Sequence, residues 1–309
     1  MTFDELEPYF SKRNCGSYER ENYDKYLKHS KFVFNIPSIH ITGTNGKGGT
    51  ANYLYHIYLA AGYKVGLFNS PYLNSVDEMV SINGKTIAKD EYLAIFNEYQ
   101  EEFENAGLSA FEMQTVLAFE LFKRANLDLV IVEVGMGGFI DATNIITPVL
   151  SIITSVSLEH TTYLGYSTSE IAYNKAGIIK NRVPALVGAV DEDALYAIRD
   201  RARKTKSEIR IAPETYNEKL VDGHIVFDCK MLSNVVLNTM NYINDNINKK
   251  ELTLSRNSFF DAQINFEFLD SKLEMNTIIN QKFCLLDIMK KWANLILELC
   301  IFHPLLLFA

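Results

Sequence analysis

Between residues 38 and about 210, short apolar runs rich in β-branched residues alternate with longer stretches of helical periodicity. Runs such as DLVIVEV and VLSIITSV are apolar at consecutive positions, which is typical of parallel strands covered by helices on both faces. This βα repeat predicts an α/β fold with an open, mostly parallel sheet. The predicted strands cover 39–41, 65–68, 127–134, 149–155 and 185–190, and the predicted helices lie near 50–62, 89–106, 111–125, 167–180 and 192–205. Ser167 and Glu170 form a potential capping box at the start of the fourth helix.

The segments on either side of this repeat have different patterns. Residues 1–37 form a predicted helical lead-in, because Phe3, Leu6 and Tyr9 recur at helical spacing. All 16 glycines lie at or before Gly223, although the turns of a second doubly wound domain would need glycines. We therefore expect one domain over residues 1–223 and a short, atypical, largely helical tail over 224–309. The expected helices of this tail lie around 232–248 and 283–302, with a hairpin as a further option.

Composition narrows the class of protein. Of the residues, 48% are hydrophobic and 22% are charged, which suits a soluble globular protein. The net charge of −8 argues against a nucleic-acid partner. The N-terminus is too acidic for a secretory signal, and the apolar C-terminal stretch is too short to span a membrane. The four cysteines lack metal-like spacing and indicate free thiols in a reducing compartment. We expect a cytoplasmic protein and, as its assembly, a monomer.

The segment SIHITGTNGKGGT, residues 38–50, predicts a strand, a glycine-containing turn and the start of a helix. Such a turn directs backbone N–H groups at one point, where the helix N-terminus adds positive potential. Lys47 would supply a charge for the outer phosphates of a nucleotide. The alternative is a turn that only connects a strand to a helix. The predicted phosphate loop consists of Gly43, Thr44, Asn45, Gly46, Lys47, Gly48, Gly49 and Thr50.

Polar residues also follow the other predicted strands. Glu133 ends the strand 127–134, Ser70 follows the strand 65–68, and His160 follows the strand 149–155. The carboxyl ends of parallel strands meet at one edge of a sheet, where such folds bind ligands. Glu133 is therefore a candidate ligand of Mg²⁺, which takes one or two carboxylates beside phosphate oxygens and water. Ser70 and His160 are weaker candidates, because a turn serine or a lone histidine is often purely structural.

Five motifs in order resemble the folylpolyglutamate synthase/dihydrofolate synthase family: GTNGKG, the Ser70-Pro71 turn, EVGMGG followed by DATN, SLEH, and AYNKAGIIK. The resemblance runs from about residue 38 to about residue 190. It implies an ATP-dependent ligase that phosphorylates a folate or dihydropteroate carboxylate and then forms an amide with glutamate. These small molecules are the implied partners.

The resemblance also implies roles for single residues. Gly46 to Gly49 would bind ATP, Ser70 and Glu133 a first Mg²⁺, and Glu133 with His160 a second. Phe111 and Glu112 match the pair that contacts the pterin in the family. Lys175 matches a position that is often carbamylated there, although a plain helical lysine in a salt bridge is the alternative. The implied catalytic residues are Lys47, Glu133, His160 and Lys175.

The chain departs from the family pattern at several positions. Gly49 replaces the usual serine or threonine, Phe139 a basic or polar residue, and Met79 an arginine. Nothing in 224–309 resembles the second α/β domain of the family. A nucleotide-binding remnant without catalysis is therefore the alternative function. A P-loop kinase or GTPase is disfavoured, because the loop lacks a GK[ST] ending and the chain lacks an NKxD-like motif.

Overall fold

The computed structural model describes residues 1–13, 20–212, 217–221, 224–228, 251–257, 261–268 and 271–273. The chain divides into two units, Met1–Ile209 and Arg210–Ala309. This division lies near residue 223, where the sequence analysis expects the first domain to end. The domain boundary at residue 223 stays a prediction. In the described part, no helix is both long enough and apolar enough to cross a membrane. All four cysteines lie outside the described residues.

An eight-stranded sheet forms the centre of the fold. Its strands are β1 (Ser38–Thr42), β2 (Val65–Phe68), β3 (Val80–Ile82), β4 (Lys85–Thr86), β5 (Leu129–Glu133), β6 (Leu150–Ile153), β7 (Ala185–Val187) and β8 (Ile209–Ile211). They are arranged in the order β4-β3-β2-β5-β1-β6-β7-β8. The neighbouring strands β2, β5, β1, β6 and β7 pair in parallel. The strand β3 pairs antiparallel with both β2 and β4. The predicted α/β fold is confirmed, and β3, β4 and β8 were not predicted.

The register of the sheet brings three strand ends together. Within the sheet, β1 lies between β5 and β6, although both follow it at a distance along the chain. Ile41 pairs with Glu133 on one side, and Thr42 pairs with Ile153 on the other. The loop that follows β1 therefore lies between the segments that follow β5 and β6.

Helices connect the strands. They are α1 (Leu6–Ser11), α2 (Arg20–His29), α3 (Lys47–Ala60), α4 (Lys89–Ala106), α5 (Ala110–Arg124), α6 (Thr161–Leu164), α7 (Thr168–Lys175) and α8 (Glu192–Thr205). Of these, α6 was not predicted, and α7 ends at Lys175, before the predicted end at 180. The capping box of Ser167 and Glu170 is present at the start of α7. The helix α3 begins at Lys47, earlier than expected, because the left-handed residue Gly46 caps it directly after the loop.

Aromatic side chains attach the lead-in to the core. Phe10 in α1 is fully buried, and its ring centre lies 5.6 Å from that of Phe96 in α4. Tyr26 in α2 has its ring centre 5.7 Å from that of Phe103. Edge-to-face pairs at these separations are favourable beyond the area they bury. The predicted helical lead-in therefore packs against α4 as part of the first unit.

The described part of the tail differs from the expectation of a largely helical segment. It contains β10 (His224–Asp228), β11 (Glu251–Asn257), β12 (Asp261–Phe268) and β13 (Ser271–Leu273). Together with β9 (Asn217–Val221), which precedes the tail, these strands form an antiparallel sheet in the order β13-β12-β11-β10-β9. Sequences such as ELTLSRN and DAQINFEF largely alternate apolar and polar residues, which favours strands. The hairpin that the sequence analysis allowed within the tail is present as the antiparallel pair β11–β12. The helices expected at 232–248 and 283–302 lie outside the described residues.

Candidate nucleotide and metal site

The loop between β1 and α3 passes very close to the end of β6. Gly43 has a φ of +155°, and a Cβ atom on it would lie 1.9 Å from Oγ1 of Thr154. Gly46 has a φ of +85°, in the left-handed region that favours glycine. These two positions therefore require glycine, one because of a close approach and the other because of its backbone conformation.

Hydrogen bonds to the segment after β6 fix the first half of the loop. The amide of Thr44 donates to the carbonyl of Ser155 at 2.9 Å, and the amide of Asn45 donates to the Ser155 hydroxyl at 3.0 Å. The amide of Thr50 donates to the carbonyl of Gly46 at 2.9 Å. These amides already have protein acceptors. Of the predicted phosphate loop, the amides at 47–49 belong to the first turn of α3, where helix geometry provides no intrahelical acceptor.

The side chain of Lys47 folds back over the loop. Its ammonium group donates to the carbonyl oxygens of Gly43 at 2.8 Å and Thr44 at 3.3 Å. The carbonyls thereby hold a positive charge beside the first turn of α3, whose N-terminus is itself positive. The arrangement suits an anion that approaches the loop, such as a polyphosphate.

Glu133 faces this first turn from the neighbouring strand. A Cβ atom on Gly48 would lie 3.4 Å from Oε2 of Glu133 and 3.5 Å from Oε1. Oε2 also accepts a hydrogen bond of 3.0 Å from the amide of Ser70. Burial raises the pKa of Glu133 to about 7, opposed by the Ser70 amide and by Lys47, and reinforced by Asp141. Glu133 is 4% exposed, so it is not a turn residue that faces solvent.

The surroundings of Glu133 fit a magnesium ion. The hydroxyl of Ser70 is buried and has no hydrogen-bond partner among the described residues. A buried hydroxyl without a partner costs free energy, which a bound cation would recover. No group of three His, Cys, Asp or Glu side chains within the described ranges could hold a metal by itself.

His160 lies at the predicted strand end but is not joined to Glu133. Its φ of +43° is left-handed, it caps the N-terminus of the short helix α6, and its side chain is exposed. Across the described part of the chain, no hydrogen bond links the imidazole to Glu133 or Ser70. The predicted roles of His160 as a metal ligand and as a catalytic residue therefore stay predictions.

Lys175 is buried beside a carboxylate that the sequence analysis did not single out. Its side chain is 1% exposed, and its ammonium group donates to Glu159. Burial lowers the pKa of Lys175, Glu159 opposes this shift, and the charge of Lys47 adds to it. Lys175 therefore lies within electrostatic reach of the phosphate loop. The signal for Glu159 was its position directly before His160, together with the need of a buried lysine for a counter-charge.

The predicted pterin pair lies in the first turn of α5. A Cβ atom on Gly135 would lie 2.5 Å from Cζ of Phe111, so this ring packs on the backbone just after β5. Glu112 is 2% exposed, and its Oε2 accepts from the amide and the hydroxyl of Ser109, both at 2.8 Å. Its Oε1 is buried without a hydrogen-bond partner among the described residues. One oxygen of Glu112 therefore completes a capping box of α5, and burial raises the pKa of the group.

Asp141 organises the loop after β5, a role that the sequence analysis did not assign. Its carboxylate accepts from the amide of Met136 at 2.8 Å and from the amide of Thr143 at 2.9 Å. Burial raises its pKa. Two of the departures from the family pattern are packed: the ring centre of Phe139 lies 5.3 Å from that of Tyr173, and Met79 is 2% exposed in the core.

Comparisons with known proteins agree with this geometry. Residues 41–224 match the family described as the Mur ligase middle domain. The dihydrofolate synthase/folylpolyglutamate synthase of Escherichia coli (strain K12) is 43% identical over 162 residues, which cover 52% of this chain and 37% of that protein. The enzyme of the same name from Bacillus subtilis (strain 168) is 38% identical over 176 residues, which cover 55% of this chain and 41% of that protein.

Solved structures show the same similarity. The structure of E. coli FolC in complex with DHPP and ADP has a TM-score of 0.68 and 31% identity, covering 75% of this chain and 56% of that one. The FPGS–AMPPCP–folate complex has a TM-score of 0.67 and 28% identity, covering 75% of this chain and 60% of that one. The chain thus spans only part of these relatives, and the matches to the curated ones cover about two fifths of their length.

Proposed function

The chain belongs to the Mur ligase middle-domain family, and from this premise we propose that it serves the ATP-dependent ligation of L-glutamate to a folate or dihydropteroate carboxylate. The proposal rests on one observation above all: the carboxylate of Glu133 lies against the first turn of α3 at Gly48. A phosphate bound by the amides of that turn would come within reach of a cation held by Glu133. The curated relatives named above support the choice of substrates.

The nucleotide would bind through the first turn of α3 and Lys47. Amides at the positive end of a helix favour the charge of a phosphate group. The Lys47 ammonium, now held by two loop carbonyls, would move to the outer phosphates. The amides of Thr44 and Asn45 would maintain the loop shape, because they already donate to Ser155.

Magnesium would be held by Glu133 and the hydroxyl of Ser70. When bound, it would neutralise charge on the transferring phosphoryl group. Burial makes ionisation of Glu133 unfavourable and raises its pKa to about 7. A neighbouring cation would favour the ionised carboxylate and lower this pKa again. A second ion with His160 as a ligand is part of the proposal, although its support is the resemblance in the SLEH motif alone.

The reaction would proceed in two steps, formation of an acyl phosphate and formation of the amide. A carboxylate oxygen of the pteroate substrate attacks the γ-phosphorus, and ADP leaves with the electrons of the broken P–O bond. The glutamate amine then attacks the acyl carbon, phosphate leaves, and the amine loses a proton as the amide forms. Lys47 would stabilise charge on the phosphoryl group during the first step, and the ring of Phe111 beside Gly135 would support the pterin.

Carbamylation of Lys175 is a further part of this proposal. The neutral amine would attack carbon dioxide and lose a proton, which converts the side chain into an anion. The pairing of the Lys175 ammonium with Glu159 corresponds to the unmodified form. An anion there would face Glu159, so the modification requires a cation in the site. A carbamate signal in ¹³C NMR with labelled bicarbonate, absent from Lys175→Ala, would support the assignment; an identical signal in both would contradict it.

Release of ADP tests the proposed activity. The chain is incubated with ATP, Mg²⁺ and dihydropteroate or a reduced folate, with and without glutamate, and Lys47→Ala serves as the inactive control. We expect ADP release that requires both acceptor and glutamate. Nucleotide binding without glutamate-dependent release would instead favour the alternative function, a nucleotide-binding protein of this family without ligase activity. The expected monomeric state and cytoplasmic location stay predictions.

A further inference from the structure

His40 is a buried histidine to which the proposed function gives no role. It lies in the middle of β1, and its side chain is completely buried. Its Nε2 lies 2.8 Å from the hydroxyl of Thr143, in the segment after β5. Burial lowers the pKa of His40 to about 3, with a smaller contribution from the charge of Lys180, so the imidazole is neutral at physiological pH. One ring nitrogen therefore carries a proton, and the other can only accept.

The hydroxyl of Thr143 also contacts Asp141. It donates to Oδ1 of Asp141, and the same oxygen accepts from the amide of Thr143 at 2.9 Å. The second oxygen, Oδ2, accepts from the amide of Met136 at 2.8 Å. The side chains of His40, Thr143 and Asp141 thus form a continuous chain of hydrogen bonds that ends at the backbone of Met136. We call these three side chains the His40 network.

The capacity of each group to donate decides the direction of the His40 network. Asp141 is 5% exposed, and burial raises its pKa, but two amides and a hydroxyl that donate to its oxygens favour the ionised form. An ionised carboxylate can only accept, so the single proton of the Thr143 hydroxyl goes to Asp141. The hydroxyl oxygen then accepts from His40, which places the imidazole proton on Nε2.

The other ring nitrogen supports this assignment. Nδ1 of His40 is buried and has no hydrogen-bond partner among the described residues. A proton on Nδ1 would therefore be a buried donor without an acceptor, which is costly. It would also require a protonated Asp141, because the Thr143 hydroxyl would donate to His40 instead. With the proton on Nε2, every donor of the network has an acceptor and a lone pair on Nδ1 is unused.

The His40 network holds a loop that contacts two parts of the candidate site. At the start of the loop 135–141, the backbone of Gly135 packs against the ring of Phe111, the predicted pterin contact. Further along, the amide of Phe139 donates at 2.9 Å to the carbonyl of the residue before Lys175. The orientation of the Asp141 carboxylate therefore bears on the side of the site where the acceptor substrate would bind.

We propose that His40 is a positioning residue for the acceptor substrate, acting through Thr143 and Asp141 on the loop 135–141. This inference rests on the proposed function, because it assigns the loop to the pteroate side of the site. Each member of the network has one arrangement of donors and acceptors, which holds the carboxylate in one orientation. Removal of the hydroxyl deprives the His40 N–H of its acceptor and frees the carboxylate. Pteroate binding then weakens, whereas ADP binding at the loop 43–50 does not.

Calorimetry with pteroate and with ADP separates positioning from a general loss of structure. The full chain is compared with Thr143→Val, which removes the hydroxyl and keeps a side chain of similar shape, and with Thr143→Ser, which keeps the hydroxyl. Thr205→Val is the matched control outside the network. Thr205 is 7% exposed, and its hydroxyl donates to the carbonyl of Arg201 at 3.0 Å.

We expect Thr143→Val to lose about tenfold in pteroate affinity and to bind ADP like the parent. Thr143→Ser and Thr205→Val should bind both ligands like the parent. If Thr143→Val does not fold, His40→Leu takes its place, with His40→Gln as the variant that can still donate to Thr143. Unchanged pteroate affinity, or equal losses for pteroate and ADP, would overturn the proposal. A parent chain that binds no pteroate would overturn the proposed function as well.

Nitrogen NMR of the imidazole tests the direction of the network without any ligand. We expect a protonated Nε2 and an unprotonated Nδ1 in His40 from about pH 5 to about pH 8, with signals that are absent from His40→Gln. Thr143→Val should shift the Nε2 signal, because its acceptor is gone, whereas Thr205→Val should not. A proton on Nδ1, or titration of His40 within this range, would overturn the proposal.

Discussion

Gly48 and the carboxylate of Glu133 are neighbours across two adjacent strand ends: a Cβ atom on Gly48 would lie 3.4 Å from Oε2. The two residues are far apart in the chain, and the parallel pairing of β1 with β5 brings them together. The space between a helix N-terminus and a carboxylate is where a phosphate and its cation would lie. The first prediction probes this space directly.

Gly48→Ala should weaken nucleotide binding without unfolding the protein. Its methyl group would enter the space beside Glu133 in ordinary van der Waals contact with the carboxylate. Gly49→Ala is the matched control in the same helical turn, because a Cβ atom there meets nothing within 4 Å. Alanine is also the better helix former, by about 1 kcal/mol. We expect both variants to be at least as stable as the parent, and only Gly48→Ala to lose about tenfold in ADP affinity by calorimetry. Equal affinities in the two variants would refute the inference that the phosphate and its cation occupy the space between Gly48 and Glu133.

Lys47→Ala should abolish nucleotide binding and leave the fold intact. The ammonium group contacts only loop carbonyls among the described residues, so its removal leaves no cavity in the core. Thermal denaturation should shift little, whereas calorimetry should show no ATP binding. Lys85→Ala, at an exposed position of β4, is the control for the loss of one positive charge. Unchanged ATP affinity in Lys47→Ala would contradict the role of the loop.

Glu133→Gln should stabilise the metal-free protein at alkaline pH. Burial raises the pKa of Glu133 from 4.5 to about 7, so the ionised form disfavours the folded state. Stability is therefore greatest where Glu133 is protonated and falls as the pH rises from about 4.5 to about 7. Glutamine cannot ionise and can still accept from the Ser70 amide.

Chemical denaturation near pH 5 and near pH 8 measures this effect. We expect Glu133→Gln to be more stable than the parent by about 3 kcal/mol near pH 8, and by much less near pH 5. The same variant should lose the Mg²⁺ dependence of nucleotide binding. A stability difference that does not change with pH would show that ionisation of Glu133 is not its cause.

Glu159→Gln should destabilise the protein by about 3 kcal/mol, because it leaves a buried ammonium group without its counter-charge. Lys175 is 1% exposed and Glu159 is 19% exposed. Lys175→Met removes the charge and keeps much of the volume. In the double variant the loss should be smaller than the sum of the single losses, since neither partner remains unpaired. Additive losses, measured by urea denaturation at neutral pH, would mean that the pair contributes no coupling.

The local pattern predicted the elements around the site closely. The helices expected at 89–106 and 192–205 coincide with Lys89–Ala106 and Glu192–Thr205, because helical periodicity and start signals are local. The expectation for the tail was based on its lack of glycine. It did not take into account the alternation of apolar and polar residues in the strands that the structure describes there. The short strands β3 and β4 were missed because two or three residues give no measurable period.

The sequence by itself determined the α/β class, a glycine-containing loop before a helix, and Glu133 at a strand end, because turn chemistry and strand periodicity depend on neighbouring residues. Only the tertiary structure decided which loop amides remain available, that Glu159 is the counter-charge of Lys175, and that His40 is connected to the loop after β5. These relations depend on strand order and helix packing. Both arise from burial of apolar surface across the whole unit, and no short segment specifies them.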